Sequence, residues 1–187
     1  DEAGQNNMAP ATGTIIPGKK NDNGEYVISV TYKDKERMGI ESNVVKKHFI
    51  LKHPRLKAVA SDDDYGVAKV SPSLVRFTTS GSWIMFKSID LTNISSLLYS
   101  LDPTQIGGKL SLRLDNPGGK EVASLSINQK DRPQKAGPDQ EHKWERLASP
   151  LTPVSGLHDL YIVYTDPENA KSNIYVTLFL DWIEFKK

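Results

Sequence analysis

The amino-acid sequence predicts an all-β protein, an antiparallel β-sandwich of the jelly-roll type. Many short segments alternate apolar and polar residues with a period of two, which is the pattern of half-buried strands. Turn-forming residues separate these segments at short intervals. No window of eleven or more residues shows the apolar stripe and caps of an amphipathic helix. Many short strands joined by turns are typical of antiparallel sandwiches.

The N-terminal part of the chain divides into a tail and a pair of strands. Residues 1–20 are rich in Asn, Gly, Pro and Ala and lack periodicity, so they are predicted to be a flexible tail or linker. Residues 21–53 are predicted to form N-terminal strands that precede the sandwich or pack on it. The first strand follows the Asn23–Gly24 turn and covers Glu25–Lys33, and the second covers Val44–Leu51.

Residues 54–187 are predicted to form the sandwich itself. Gly, Pro, Asn and Asp cluster between its apolar segments, as at Asn116–Gly119. The strands predicted from these segments are Leu56–Ala60, Leu74–Thr79, Trp83–Ile89, Ser96–Leu101, Leu110–Leu114, Val122–Ile127, Leu160–Thr165 and Ile174–Phe185. Asn128–Lys143 is a polar segment longer than a hairpin loop, and it predicts either a binding loop or a tolerated surface insertion.

Composition and charge exclude several classes of function. The 187 residues include 24 Lys and Arg, 23 Asp and Glu and no cysteine, with a formal net charge of +1. Nucleic acid is therefore not the expected partner, because phosphate binding needs a concentrated basic face. The missing cysteines exclude disulfides and thiolate metal sites. No apolar stretch approaches the roughly 20 residues that span a bilayer.

Catalytic motifs are absent, which predicts that the protein is not an enzyme. Ser80–Trp83 lacks the second glycine of a nucleophile elbow and leads into a strand. The metalloprotease helix, the phosphate loop and the dinucleotide fingerprint do not occur. Acids such as Asp115, Asp181 and Glu184 show no pattern, so a glycoside hydrolase remains a third alternative. The acidic run Asp62–Asp64 predicts either a solvated loop or a calcium site.

Two C-terminal segments resemble a known family. Gly156–Tyr164 and Leu180–Phe185 resemble the ending of family 6 carbohydrate-binding modules, G-x-H-D-L-Y-x-V-F followed by x-D-W-x-x-F. Earlier segments keep the family's order, since Gly81–Phe86 stands at G-D-W-x-x-Y and Arg113–Gly119 stands at R-L-D-x-P-x-G. The resemblance covers roughly residues 50–187 and implies a galactose-binding-like jelly roll that binds sugars without cleaving them.

The N-terminal segments extend this resemblance. Gly24–Val27, Tyr32–Asp34 and Ile50–Leu56 are similar to segments of modules that end bacterial multidomain proteins with sugar-dehydrogenase-like and cytochrome-like domains. This similarity implies other domains of a larger protein as partners. It also implies an extracytoplasmic location, which is periplasmic, cell-surface or secreted.

The resemblance transfers the sugar-binding residues unevenly. Phe77 matches the family's aromatic residue before the G-D-W glycine, and Asn173 matches its loop asparagine. Glu141 stands where the family has the first Trp of W-x-x-W, and Trp144 keeps the second. Tyr65, beside the acidic run, is a further aromatic candidate. The alternatives are that Phe77 and Trp144 pack in the interior and that Asn173 caps a turn.

The family's structural calcium transfers in part. Val59 stands at the glutamate of the family's Q-A-E and has no oxygen donor, whereas Asp181 keeps the aspartate before the last Trp. The candidate ligands for a structural calcium are therefore Asp181 and Asp62, and the loss of the glutamate disfavours the ion relative to the family. The expected function is a non-catalytic module that recognises a polysaccharide or glycan. The alternative is a structural or protein-interaction sandwich that has lost sugar binding.

Overall fold

The computed structural model describes residues 26–33, 43–103, 107–127, 144–166 and 178–187. Several sequence predictions fall outside these ranges and are not tested by the structure: the tail of residues 1–20, the loop Asn128–Lys143 with Glu141, and Asn173. Within the described residues, no helix has the length and apolar character needed to cross a bilayer.

The described backbone is built of short β-strands. The strands are β1 (Tyr26–Lys33), β2 (Val44–Leu51), β3 (Arg55–Lys57), β4 (Asp63–Tyr65), β5 (Val67–Ser71), β6 (Leu74–Phe77), β7 (Trp83–Asp90), β8 (Ser96–Pro103), β9 (Gly108–Leu114), β10 (Glu121–Ile127), β11 (Glu145–Pro150), β12 (Leu157–Thr165) and β13 (Leu178–Lys186).

Two antiparallel sheets form the sandwich. One has five strands in the order β10-β9-β12-β7-β4, and the other has the order β11-β8-β13-β6-β5 with β3 added beside β13. Non-consecutive neighbours such as β7 and β12 pair because the chain crosses between the two sheets. This confirms the predicted fold class, an antiparallel β-sandwich.

The core lies between the sheets because alternate side chains of each strand point inward. In β12, Leu160 and Ile162 are fully buried, and in β8, Leu97 and Leu101 are fully buried. Burying a side chain of this size contributes about 1.5–3 kcal/mol. Phe185 of β13 joins the same core, as the sequence pattern predicts.

Three segments differ from the sequence predictions. Ala58–Ala60 forms a 3-10 turn instead of continuing a strand. The acidic run was expected to be a loop, but Asp63–Tyr65 forms the edge strand β4 because it pairs with Trp83–Met85 of β7. This pairing overrides the low strand propensity of aspartate. The sequence also missed β5, Val67–Ser71, which pairs with β6.

The sandwich has two ends that matter for function. At the loop end, β6 finishes at Phe77, β7 and β9 begin, and β12 finishes at Thr165. β8 and β10 also end here, at Pro103 and Ile127, and β11 and β13 begin here, at Glu145 and Leu178. At the far end, β7 finishes at Asp90 and β12 begins at Leu157.

β1 and β2 form a separate two-stranded sheet. Their register pairs Ser29 with His48 and Tyr32 with Val45. The chain then passes through Pro54, whose carbonyl oxygen accepts a hydrogen bond from the amide of Phe185 at 2.8 Å. This bond fixes the start of β3 against the last strand of the sandwich.

Candidate functional site

Three aromatic rings form a row on the outer face of the five-stranded sheet. Tyr65 and Trp83 lie with ring centroids 6.3 Å apart and planes 25° from parallel. Trp83 and Tyr161 meet edge to face, with centroids 5.1 Å apart and an angle of 66°. Tyr65 keeps 64% of its surface exposed. We call Tyr65, Trp83 and Tyr161 the aromatic row.

Strand register brings the aromatic row together. Tyr65 of β4 lies opposite Trp83 of β7, and Tyr161 of β12 lies opposite Met85, two residues further along β7. Neighbouring residues in these strands, Ile84 among them, are fully buried and point into the core. Because side chains alternate along a strand, the aromatic residues between them must face outward.

Gly66 allows β4 to reach this position. Its φ of +64° lies in the left-handed region, which favours glycine. A Cβ atom at Gly66 would lie 2.9 Å from the Cβ of Ser82, the residue that precedes Trp83. The turn after Tyr65 therefore passes close to the start of β7, and this close approach holds Tyr65 beside Trp83.

A charged cluster continues the same face beyond Tyr161. Arg113 of β9 lies opposite Tyr161 in register. Arg113 Nη2 lies 3.1 Å from Glu121 Oε2, and Lys109 Nζ lies 2.6 Å from Glu121 Oε1. The hydrogen bond from Lys109 is the main reason that the pKa of Glu121 is lowered. The face thus carries aromatic rings beside fixed donors and an ionised acceptor.

Phe77 is not part of any exposed surface. Its side chain is fully buried, and its ring lies 6.1 Å from that of Tyr164 in the core. The residue faces inward because it lies opposite Leu178 of β13, which is also buried. The prediction that Phe77 stacks on a sugar is therefore wrong for this structure, and its alternative, a core position, is confirmed.

Trp144 is exposed but lies far from the aromatic row in the fold. It keeps 43% of its surface exposed and directly precedes β11 at the loop end. β11 is one edge of its sheet and packs near β10, whereas Tyr65 lies on β4 at the opposite edge of the five-stranded sheet. The structure therefore does not bring Trp144 and Tyr65 together. Glu141 and Asn173 lie outside the described residues.

The predicted calcium ligands do not fit a metal centre in the described part of the chain. Asp62 Oδ2 accepts a hydrogen bond from the amide of Lys87 at 2.8 Å and lies 3.9 Å from Lys52 Nζ. Burial raises the pKa of Asp181. The nearby positive charges of Lys57 and Arg55 act in the opposite direction and partly offset this effect. The described residues contain no group of three or more Asp, Glu, His or Cys side chains suited to a metal ion. Both carboxylates thus have basic neighbours, which disfavour a cation there.

Sequence reasoning missed Trp83 and Tyr161 as surface residues. Both belong to the quoted family motifs, but neither was selected as a binding residue. The signal that identifies them is the period-two alternation, because Trp83 precedes buried Ile84 and Tyr161 lies between buried Leu160 and Ile162.

Solved structures with the same fold include several sugar-binding modules. A family 6 carbohydrate-binding module from Clostridium cellulolyticum in complex with xylose is 18% identical over 71% of this chain and 96% of that chain, with a TM-score of 0.57. A β-1,3-glucan-binding family 6 module from Bacillus halodurans is 15% identical over 71% and 95%, with a TM-score of 0.57. A family 36 module in complex with calcium and xylotriose is 14% identical over 71% and 98%, with a TM-score of 0.51.

A sequence profile matches the chain directly. Residues 58–187 match the family described as carbohydrate binding module (family 6). This match begins at the 3-10 turn and includes every strand of the sandwich from β4 to β13. The protein belongs to family 6 of the carbohydrate-binding modules.

Proposed function

We propose that this module binds a polysaccharide or glycan, without cleaving it, on the aromatic row. The observation that carries the proposal is the nearly parallel pair of rings formed by exposed Tyr65 and half-buried Trp83. Aromatic rings offer a flat apolar surface that matches the apolar face of a pyranose ring. Tyr161 holds Trp83 in place from the side.

The charged cluster complements this stacking surface. Sugar hydroxyls donate and accept hydrogen bonds, and the cluster offers both kinds of partner. Arg113 and Lys109 supply donors, and the carboxylate of Glu121 supplies an acceptor. A few polar groups beside an apolar surface are typical of ligand sites that select orientation. We expect the sugar chain to lie across the sheet from Tyr65 toward Arg113.

The state of Glu121 supports binding without hydrolysis. A glycosidase acid must hold a proton near neutral pH, which requires a raised pKa. The pKa of Glu121 is lowered instead, because Lys109 hydrogen-bonds the carboxylate and Arg113 adds positive charge. Glu121 therefore stays ionised and can accept hydrogen bonds, but it cannot protonate a leaving group.

The proposal is tested by calorimetric titration of the purified chain with soluble polysaccharides and oligosaccharides. The panel contains xylan and β-1,3-glucan, since related modules were solved with xylose or bind β-1,3-glucan. Tyr65→Ala should weaken binding by about fivefold or more, because one stacked ring contributes about 1 kcal/mol or more. Val70→Ala is the matched control, since Val70 is 44% exposed on β5 of the other sheet.

Three results would contradict the proposal or a part of it. If Tyr65→Ala binds as tightly as the unaltered chain, the aromatic row is not the platform. If the folded chain binds no member of the panel, the alternative of an interaction domain without sugar binding gains support. Release of reducing sugar above a blank would contradict the non-catalytic part.

The loop end is a second location predicted for sugar contact. The side chain of Trp144 is exposed there. The resemblance to the family assigns Asn173 and Glu141 to the same site. Trp144→Ala in the same titration separates the two locations, because it should leave binding on the aromatic row unchanged. Loss of binding in Trp144→Ala alone would move the site to the loop end.

The wider context of the module follows from its family and its N-terminal motifs. We propose that residues 54–187 form the binding module, that residues 21–53 form strands that precede it or pack on it, and that residues 1–20 form a flexible tail or linker. The motifs of Gly24–Val27 and Ile50–Leu56 support a bacterial multidomain protein with sugar-dehydrogenase-like and cytochrome-like domains. We also propose an extracytoplasmic location, which is where the polysaccharides of cell walls lie.

Calcium is not needed for the proposed contacts. One related module was solved with calcium, but the carboxylates of Asp62 and Asp181 have basic neighbours in this chain. We therefore expect a chelator to leave both sugar affinity and melting temperature unchanged. Loss of either on chelation would show that other residues complete a metal site.

A further inference from the structure

The hairpin formed by β1 and β2 exposes an unusual amount of apolar surface. Five large apolar side chains of the hairpin are at least half exposed: Val30, Tyr32, Val44, Val45 and Leu51. Exposed apolar residues scattered singly are normal, but a cluster of this kind marks an interaction surface. We call β1 and β2 the N-terminal hairpin.

The apolar residues concentrate on one face of the N-terminal hairpin. Tyr32 lies opposite Val45 in register, and Val30, two residues before Tyr32, lies opposite Lys47, so these four residues share a face. The other face carries Thr31 opposite Lys46 and Lys33 opposite Val44. An amphipathic sheet face is stable in water only when another element covers its apolar side.

The described residues provide no such cover. The N-terminal hairpin is a two-stranded sheet of its own, and within the described part of the chain neither outer edge pairs with another strand. An isolated hairpin is marginally stable in water. Its open edges expose backbone donors and acceptors, which form a template for a further strand.

Charge indicates which kind of strand fits this template. The described strands of the hairpin, Tyr26–Lys33 and Val44–Leu51, contain three lysines and no acidic residue. Lys33 and Lys46 are both exposed. A second copy of the hairpin placed edge to edge would bring further lysines and no carboxylate, and like charges across a strand pair are destabilising. A strand with acidic residues would gain the opposite interaction.

A groove continues this surface onto the sandwich. A cavity of about 620 Å³ lies between the base of the hairpin and the far end of the sandwich. Leu51, Leu157 and Phe185 supply apolar lining, Lys52 and Lys187 supply positive charge, and Asp90 supplies one negative charge. Leu157 is 68% exposed. A segment that leaves the hairpin edge can therefore place its next apolar side chain in this groove.

We propose that the N-terminal hairpin and this groove bind an extended segment of a partner protein, one that alternates apolar and acidic residues. Its backbone adds a third strand to the hairpin, its apolar side chains cover Val30, Tyr32 and Val45, and its carboxylates, on the other face, lie near Lys33 and Lys46. The surface lies at the far end of the sandwich and does not include the aromatic row, so sugar and partner bind independently.

The test uses the full chain and two labelled peptides, Val-Glu repeated four times and Val-Lys repeated four times. Fluorescence anisotropy should show saturable binding of the acidic peptide, at least about tenfold tighter than the basic one and weakened by added salt. Val45→Asn should weaken this binding, whereas Val70→Asn, at an exposed valine of β5, should not. The double variant Lys33→Glu, Lys46→Glu should reverse the preference.

Hydrogen exchange gives a second readout that does not depend on a variant. The amides at the outer edges of the hairpin should exchange fast in the free chain. The strand that pairs with the acidic peptide, either Tyr26–Lys33 or Val44–Leu51, should become protected when the peptide is bound. Equal or absent binding of both peptides would overturn the proposal. The proposal would also be overturned if analytical ultracentrifugation showed a dimer that Val45→Asn dissociates, because a second copy of the chain would then cover the apolar face of the hairpin. Binding to phosphatidylserine vesicles that requires Val45, without peptide binding, would overturn it as well.

Discussion

Trp83 and Tyr161 come from strands that are distant in the chain, yet their rings meet edge to face with centroids 5.1 Å apart. This contact exists because β7 and β12 are neighbours in the five-stranded sheet. Edge-to-face pairs contribute about 0.5–1.5 kcal/mol beyond the burial of their area. Tyr161 therefore restricts the orientation of Trp83, the central ring of the aromatic row.

Removal of the Tyr161 ring should weaken sugar binding without unfolding the protein. Tyr161→Ala leaves Trp83 free to change rotamer, and a platform that must be ordered on binding loses affinity. We expect the dissociation constant measured by calorimetry to increase several-fold. Tyr161→Phe keeps the ring and should bind nearly as the unaltered chain does. If Tyr161→Phe is as weak as Tyr161→Ala, the hydroxyl contacts the sugar and the orienting role is wrong.

Phe77→Ala should change stability and leave binding intact. The ring is fully buried and contacts Tyr164 in the core. Loss of a buried phenylalanine costs about 3–5 kcal/mol in free energy of unfolding. Urea unfolding measures this loss, and calorimetry well below the melting temperature should give an unchanged sugar affinity.

Tyr65→Ala is the reciprocal control for Phe77→Ala. Tyr65 is exposed, so its removal should change the free energy of unfolding by less than about 1 kcal/mol while binding weakens. A Phe77→Ala variant that stays as stable as the unaltered chain and loses binding would restore Phe77 as a platform.

The lowered pKa of Glu121 predicts a dependence of stability on pH. The hydrogen bond from Lys109 favours the ionised carboxylate in the folded state. A carboxyl with a lowered folded pKa stabilises the fold above its ordinary pKa, here 4.5, and this stabilisation is lost as the pH falls toward the folded value. Glu121→Gln removes the titrating group and keeps the size of the side chain.

A comparison of the unaltered chain with Glu121→Gln tests whether stability is lost in the acidic direction. Their difference in free energy of unfolding should be largest near neutral pH and should shrink as the pH falls below 4.5. Urea unfolding at a series of pH values measures it. A difference that stays constant across this range would show that Glu121 stabilises the fold by packing alone.

Sequence patterns predict most strands of this fold because period two and turn residues act locally. β1 and β2 are predicted almost to the residue, and β7 and β9 to within one or two residues. β4 was missed because Asp63 and Asp64 have low strand propensity. Only the pairing with β7, a contact between residues far apart in sequence, makes them a strand.

The binding residues were harder to predict than the strands, because a motif gives a chain position and not a side-chain direction. Phe77 matches the family's aromatic position, but its register opposite Leu178 turns the ring into the core. Tyr65 was selected correctly as an exposed aromatic residue. Its neighbours Trp83 and Tyr161 could not be paired with it without the strand order.

The turn at Asn116–Gly119 gives a prediction with a control only one residue away. At Gly119, an added Cβ atom would collide with the carbonyl oxygen of Leu114 and lie 2.9 Å from the carbonyl oxygen of Asn116. The first atom belongs to Leu114, the last residue of β9, which also carries Arg113 of the charged cluster, and the second belongs to the turn that follows. The turn cannot move without shifting that strand.

Gly119→Ala should therefore destabilise the protein, whereas Gly118→Ala should not. Overpacking against fixed backbone costs about 1–3 kcal/mol. At Gly118, the nearest atom to an added Cβ is Asn116 Oδ1 at 3.5 Å, an ordinary contact. Urea unfolding of the two variants measures the difference directly. Equal stability would show that the turn adjusts without cost, so that Arg113 is not held by this close approach. A loss for Gly119→Ala alone, with weaker sugar binding, would tie the geometry of the charged cluster to the turn.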